Sequence, residues 1–256
     1  MKPWAGTGPA YAASYAALCA GTEDAVLDEL GSAGGRPALD VGAGTGAFVA
    51  RLVAAGWDAV GCEPEPTMRA VAADAHPGIR ILDAALPRLP FDDGGFAAVT
   101  ANFVLNHVGD PRAAAAELAR VAAPSARLVA STWVLSPSWF WSEVCERVGL
   151  EPAAGEKLPP EKDFERTSAG FAAMLAEGGW RGVEATELHW TWQAEPSVLW
   201  ASAEGGVASA GAFYLAQDEA GRHAFRRGFD AVCDARSIGG AIPLEHTAAI
   251  AVGRPR

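Results

Sequence analysis

The stretch Ala38-Leu39-Asp40-Val41-Gly42-Ala43-Gly44-Thr45-Gly46-Ala47-Phe48 constrains the fold of this chain more than any other. A short apolar run ends in a carboxylate, and three glycines follow on alternate positions. Gly34-Gly35-Arg36-Pro37 supplies a turn before it, and Phe48, Leu52 and Val53 fall at helical spacing after it. The pattern predicts a strand over 38–42, a tight loop and a helix over about 46–55. Glycine lets a backbone turn sharply and approach a ligand without a Cβ in the way.

The same alternation continues. Residues 59–63 form a short apolar run ending in Glu63, and Pro64 and Pro66 open a helix to about Ala75. Residues 79–83 read as a third strand ending in Asp83. Phe96 to Phe103 reads as a fourth, after the turn Asp92-Asp93-Gly94-Gly95. Asp110-Pro111 starts an alanine-rich helix to about Ala122, and Arg127 to Trp133 is a fifth strand. Five strands alternating with helices predict a doubly wound, mostly parallel α/β sheet of the Rossmann-like kind, with its ligand at the C-terminal strand ends.

The flanking regions differ. Residues 10–30 carry a helical pattern broken at Gly21 and Thr22, and are expected to form an N-terminal helical lid within residues 1–35. After a cofactor-binding core over 36–133, residues 134–256 are expected to supply helices at 138–150 and 171–177, a strand at 183–192, a long helical insertion over 197–235 and a short last strand at 247–252. The expected whole is one domain with a seven-stranded sheet, the insertion preceding its last strand.

Three acids close three successive strands: Asp40, Glu63 and Asp83. All belong on one sheet edge. A ligand with an ammonium, a ribose and an adenine needs acceptors there. Glu63 suits two ribose hydroxyls, because a carboxylate accepts two hydrogen bonds, and Asp83 suits an exocyclic amine. Asp40 beside the loop repels a pyrophosphate and welcomes a cation. The net charge of −11, without a basic cluster, argues against a nucleic-acid partner. Cys19, Cys62, Cys145 and Cys233 lie far apart, so neither a disulfide framework nor a zinc site is indicated. No apolar run reaches the ~18 residues of a membrane span. No signal-peptide core follows Met1, so a cytoplasmic protein is expected, as monomer or homodimer.

The ordered set over residues 36–133 resembles the class I S-adenosylmethionine-dependent methyltransferases of small-molecule type, and is similar to the ubiquinone/menaquinone-biosynthesis group. The resemblance implies S-adenosylmethionine as cofactor. It implies that Asp40, Gly42, Ala43, Gly44 and Gly46 form the loop under its methionine part and that Glu63 holds the ribose. Pro64 and Met68 would pack by the adenine, Asp83-Ala84 would meet its edge, and Asn102-Phe103 would begin the loop after the fourth strand. Glu117-Leu118-Ala119-Arg120-Val121 and Pro124 resemble the helix end before the fifth strand, although Pro124-Ser125-Ala126 replaces the usual Pro-Gly-Gly. Asn102 stands where amino-group methyltransferases of another pattern carry their acidic or Asn-Pro-Pro-Tyr motif, and no such motif follows it. Tyr11 to Cys19 resembles the lids of actinobacterial natural-product enzymes, which makes Tyr15 a cofactor contact.

Several residues carry two readings. His107 follows the fourth strand, where an acceptor should lie; an ordinary imidazole titrates near ~6.5 and suits a phenol or enol. It equally suits packing under the next helix. Tyr11, Tyr15 and Cys19 share a helical face that closes over a cofactor or fills a core. Trp133, Trp139, Trp141, Trp190, Trp192 and Trp200 suit a flat aromatic acceptor or a packed wall. His189 and His246 read as structural. The expected function is methyl transfer to a small molecule, with aromatic acceptors among the candidates, in bacterial secondary metabolism, with oxygen as the acceptor atom. The alternatives are an NAD(P)-dependent oxidoreductase, since Gly42-x-Gly44-x-x-Ala47 fits that fingerprint, and a methyltransferase-like fold without methylation.

Overall fold

The computed structural model describes residues 4–152 and 158–256. Met1 to Pro3 of the expected lid, and residues 153–157 of the expected substrate side, lie outside the described residues. The chain opens with α1 (Gly8–Ala12), α2 (Tyr15–Cys19), a 3-10 turn (Ala20–Thr22) and α3 (Glu23–Leu30). Then come β1 (Pro37–Val41), α4 (Ala47–Ala54), β2 (Asp58–Cys62), α5 (Pro66–Ala75), β3 (Arg80–Leu82), β4 (Phe96–Asn102), α6 (Pro111–Val121) and β5 (Ala122–Leu135). The second half holds α7 (Ser138–Glu146), α8 (Ser168–Glu177), β6 (Trp180–Ala194), α9 (Pro196–Glu204), α10 (Ala208–Ala216), α11 (Glu219–Arg236) and β7 (Ile242–Pro255).

The seven strands form one sheet in the order β3-β2-β1-β4-β5-β7-β6. The first five run parallel, and β7 pairs antiparallel with both β5 and β6. Alternation within β1 shows why both faces must be covered. Leu39 and Val41 join the core under α6 and α8, whereas Ala38 joins Phe48, Val49 and Leu52 of α4 and Val26 and Leu30 of α3 on the other face. A parallel sheet buried on both sides reads as a continuous apolar run. Helix starts follow local chemistry: Pro66 and Pro111 occupy first turns, and Glu65 and Asp110 accept the exposed amides of Thr67 and Ala113.

The order reverses between β1 and β4, which opens a crevice at the C-terminal strand ends. The helices around it form a third core. It joins Tyr15 and Leu18 of α2, Phe140, Trp141 and Val144 of α7, and Phe225 and Phe229 of α11. The last strand differs most from expectation. It spans 14 residues rather than six, because β7 is sandwiched between two long partners and pairs along almost its whole length.

Candidate functional site

Backbone builds the floor of the site. Gly42, Gly44 and Gly46 all have positive φ (+73°, +54° and +80°). The amides of Gly42 and Ala43 donate to the Cys62 carbonyl at 2.8 and 2.9 Å, which ties the loop to the end of β2. Gly42 admits nothing larger: a Cβ there would stand 2.4 Å from Cγ2 of Val104. A Cβ on Gly46, which caps α4, would stand 2.7 Å from Cδ1 of Ile79.

Above this floor lies a cavity of about 300 Å³. Gly42, Gly44, Glu63, Pro64, Met68 and Ala84 line one end. Phe103, Trp133, Trp141, Trp4 and His107 line the rest, with Val104 against Gly42 and Asn102 among the walls. Tyr11, Tyr15 and Cys19 line it from the N-terminal helices, and Tyr15 also belongs to the core that those helices share with α7 and α11. Glu63 is 8% exposed; its Oε2 accepts from the Gly44 amide and its Oε1 from the Glu65 amide, both at 2.9 Å. Burial raises its pKa against those two bonds.

Four of the expected residues stand elsewhere. Asp40 points to the α3–α4 face of the sheet, is 3% exposed and accepts from Thr100 Oγ1 at 2.7 Å. Burial pushes its carboxyl up to about 7 against that bond, with Glu23 and Glu63 adding repulsion. It therefore lies behind the loop and outside the cavity lining. Ala43 and Gly46 shape the loop from within without reaching the cavity. Asp83 requires a correction. Its side chain is 69% exposed and pairs with Arg69 Nη2 at 2.9 Å, because α5 brings a guanidinium over the end of β3. Ala84, Ala85 and Leu86 form the wall in its place.

The site also uses residues that carry no sequence signal. Thr22, wholly buried, donates from Oγ1 to Asn102 Oδ1 at 3.0 Å, and Ser131 Oγ donates to the same oxygen. Ser131 in turn accepts from the Phe103 amide at 3.0 Å and holds Phe103 at φ +56°, a conformation that non-glycine residues seldom adopt. Phe103 stacks on Trp133 with 3.9 Å between centroids. Tyr15 accepts from Trp141 Nε1 at 2.6 Å. Ala208, Ser209 and Ala210 of α10 complete the wall. His246 is 1% exposed among Trp133 and Trp190, and burial lowers its pKa to about 4. His189 meets Thr247 Oγ1 at 2.9 Å across the β6–β7 pair.

This donor set fits S-adenosylmethionine. The close-approach loop would hold the amino-acid portion, the buried carboxylate of Glu63 would take the ribose hydroxyls, and the apolar Pro64, Met68 and Ala84 would suit an adenine. The acids behind the loop favour a cationic ligand over a pyrophosphate, which weighs against a nicotinamide dinucleotide.

Comparison with known proteins agrees. Residues 39–130 match the family described as a methyltransferase domain. The demethylmenaquinone methyltransferase of Beutenbergia cavernae is 34% identical over 172 residues, 62% of this chain and 71% of that one. A putative methyltransferase from an antibiotic biosynthesis pathway of Anabaena variabilis has the same fold, with TM-score 0.59 and 15% identity over 89% of this chain and 95% of its own. The cyclase SpnF shares the fold as well, at TM-score 0.54 and 20% identity over 91% of this chain and 80% of its own. The fold, the glycine cradle and these relatives together place the chain in the class I S-adenosylmethionine-dependent methyltransferases.

Proposed function

We propose that the protein methylates a hydroxyl oxygen of a small, flat aromatic molecule in bacterial secondary metabolism. The observation that carries this reading is the far end of the cavity. Trp4, Phe103, Trp133 and Trp141 line it, and among the described lining residues there is no Lys or Arg and one carboxylate, Glu63. A phosphorylated or carboxylated acceptor would find no countercharge there, whereas a neutral aromatic ring finds stacking faces and edges. The N-terminal helices serve as lid, and Trp141 with Ala208, Ser209 and Ala210 brings the second half of the chain into the acceptor wall.

When bound, S-adenosylmethionine supplies a sulfonium-activated methyl group. The chain contributes alignment and dryness, which in well-oriented systems lower a barrier by roughly 7–11 kcal/mol. His107 acts as the base that takes the acceptor's hydroxyl proton. Asn106 orients it, with the carboxamide 3.1 Å from His107 Nε2. The buried Asn106 Oδ1 has no other partner, so turning the amide toward Nε2–H satisfies that oxygen.

A second reading, transfer to a ring carbon, is favoured by the relative from Beutenbergia cavernae, whose name gives demethylmenaquinone as its acceptor. A panel of hydroxyaromatics, quinols and amines, each offered with isotope-labelled S-adenosylmethionine, tests both. The methyl carbon's chemical shift in the product distinguishes oxygen from carbon. Turnover confined to amines would sink the aromatic reading. His107→Ala should lower kcat about 10²- to 10⁴-fold with S-adenosylhomocysteine binding retained; an unchanged kcat would remove the base role.

A further inference from the structure

We propose that Thr22 is a positioning residue that acts through Asn102, turning the carboxamide N–H₂ into the cavity to receive the carboxylate of the bound cofactor. The proposal rests on the cofactor site described above.

The orientation of Asn102 follows from its neighbours. Ser131 is fully buried, and its oxygen already accepts from the Phe103 amide. Its own proton needs an acceptor, and Asn102 Oδ1 receives it. Thr22, on the turn that follows α2, shares its one hydroxyl proton between the Cys19 carbonyl and the same Asn102 oxygen, each at 3.0 Å. With Oδ1 held by the Ser131 hydroxyl and faced by the shared Thr22 proton, Nδ2 is left for the cavity side.

The cofactor's needs point to the same place. Its amino-acid portion brings a carboxylate next to the glycine loop, and the described lining residues include no Lys or Arg. Neutral donors must serve. Tyr15 Oη is engaged by Trp141 and Ser202, and Tyr11 bonds Cys19. The Gly44 amide donates to Glu63. Ser136, Ser138 and Ser209 belong to the α7 and α10 side of the lining, which leaves Asn102, at the end of the strand beside β1, as the side-chain donor on the loop side. Because the hydroxyl that sets it comes from the N-terminal helices, docking of those helices and presentation of the donor occur together. Trp190 fixes that docking: its Nε1 lies so close to Gly21 that a Cβ there would stand 2.5 Å away.

The test compares two probes by calorimetry. S-adenosylhomocysteine carries the carboxylate; 5′-methylthioadenosine has the nucleoside and sulfur without it. Thr22→Val keeps the shape and removes the hydroxyl. It should weaken S-adenosylhomocysteine about tenfold and leave 5′-methylthioadenosine within about twofold, and Thr22→Ser should restore wild-type affinity. Asn102→Asp, which sets a carboxylate against a carboxylate, should weaken S-adenosylhomocysteine further and again spare the shorter probe. Equal losses for both probes, or no loss, would overturn the proposal. A wild type that binds 5′-methylthioadenosine as tightly as S-adenosylhomocysteine would overturn it too, while leaving the nucleoside half of the site established.

Discussion

The two ends of the cavity are made in opposite ways. The cofactor end is mostly main chain and small side chains: three glycines with positive φ, amides tied to the end of β2, and one buried carboxylate. The other end is mostly rings. Trp141 lies parallel to Phe225 and Phe229 at 5.6 and 5.8 Å, and Trp133 is stacked between Phe103 and Trp190. Main chain can be placed by a short local motif. A wall of rings requires helices from distant parts of the chain, and its shape follows from how they pack. The glycine loop is therefore written locally, and the ring wall is distributed along the chain.

That contrast can be broken by experiment. The largest effect is expected in the ring wall. Phe229 is 1% exposed against Phe140, Trp141 and Trp200, so Phe229→Ala should cost about 3–5 kcal/mol of unfolding free energy in urea titrations. Affinity for S-adenosylhomocysteine should move far less. If affinity collapses with stability, the two ends are not separable. Gly42→Val should do the reverse at the cofactor end, weakening S-adenosylhomocysteine about 100-fold or more. The new side chain meets Val104 and demands a backbone conformation that a β-branched residue resists.

The smallest expected effect is a pH dependence at Asp40. Its folded carboxyl lies at about 7, raised by burial, while an unfolded Asp titrates near ~3.9. Between those values the folded chain holds a proton that the unfolded chain has lost. This group's stabilising contribution is thus full below about pH 4 and disappears as pH rises through about 7. Thermal melts of wild type and Asp40→Asn from pH 5 to pH 8 should diverge, the variant losing less stability. Cofactor binding has the opposite sign, since an ionised Asp40 favours a cation. Wild-type affinity should rise severalfold from pH 6 to pH 8, and the Asn variant should flatten the rise.

Much of the fold was legible because its signals are local. The apolar runs at 38–42, 59–63 and 96–103, the prolines at 66 and 111 and the glycine loop each specify a strand, a helix start or a turn within a few residues. The strand-end acid Glu63 was legible for the same reason. Asp83 shows the limit. Its place at the end of β3 was readable, but the guanidinium that claims it comes from α5, 14 residues earlier. Thr22 was visible as a break in a helical pattern; that its hydroxyl reaches Asn102, 80 residues away, was not. Nor does strand spacing tell that β7 inserts between β5 and β6.

By itself, then, the sequence determined an alternating α/β sheet, a glycine cradle at its C-terminal edge and a methyl-donor cofactor. These depend on backbone conformation and on residues adjacent in the chain. Tertiary structure alone decided which acids reach the cavity, which hydroxyls orient Asn102 and what shape the aromatic wall presents. Those depend on contacts between elements far apart in sequence, where the partner of a side chain is set by packing rather than by its neighbours in the chain.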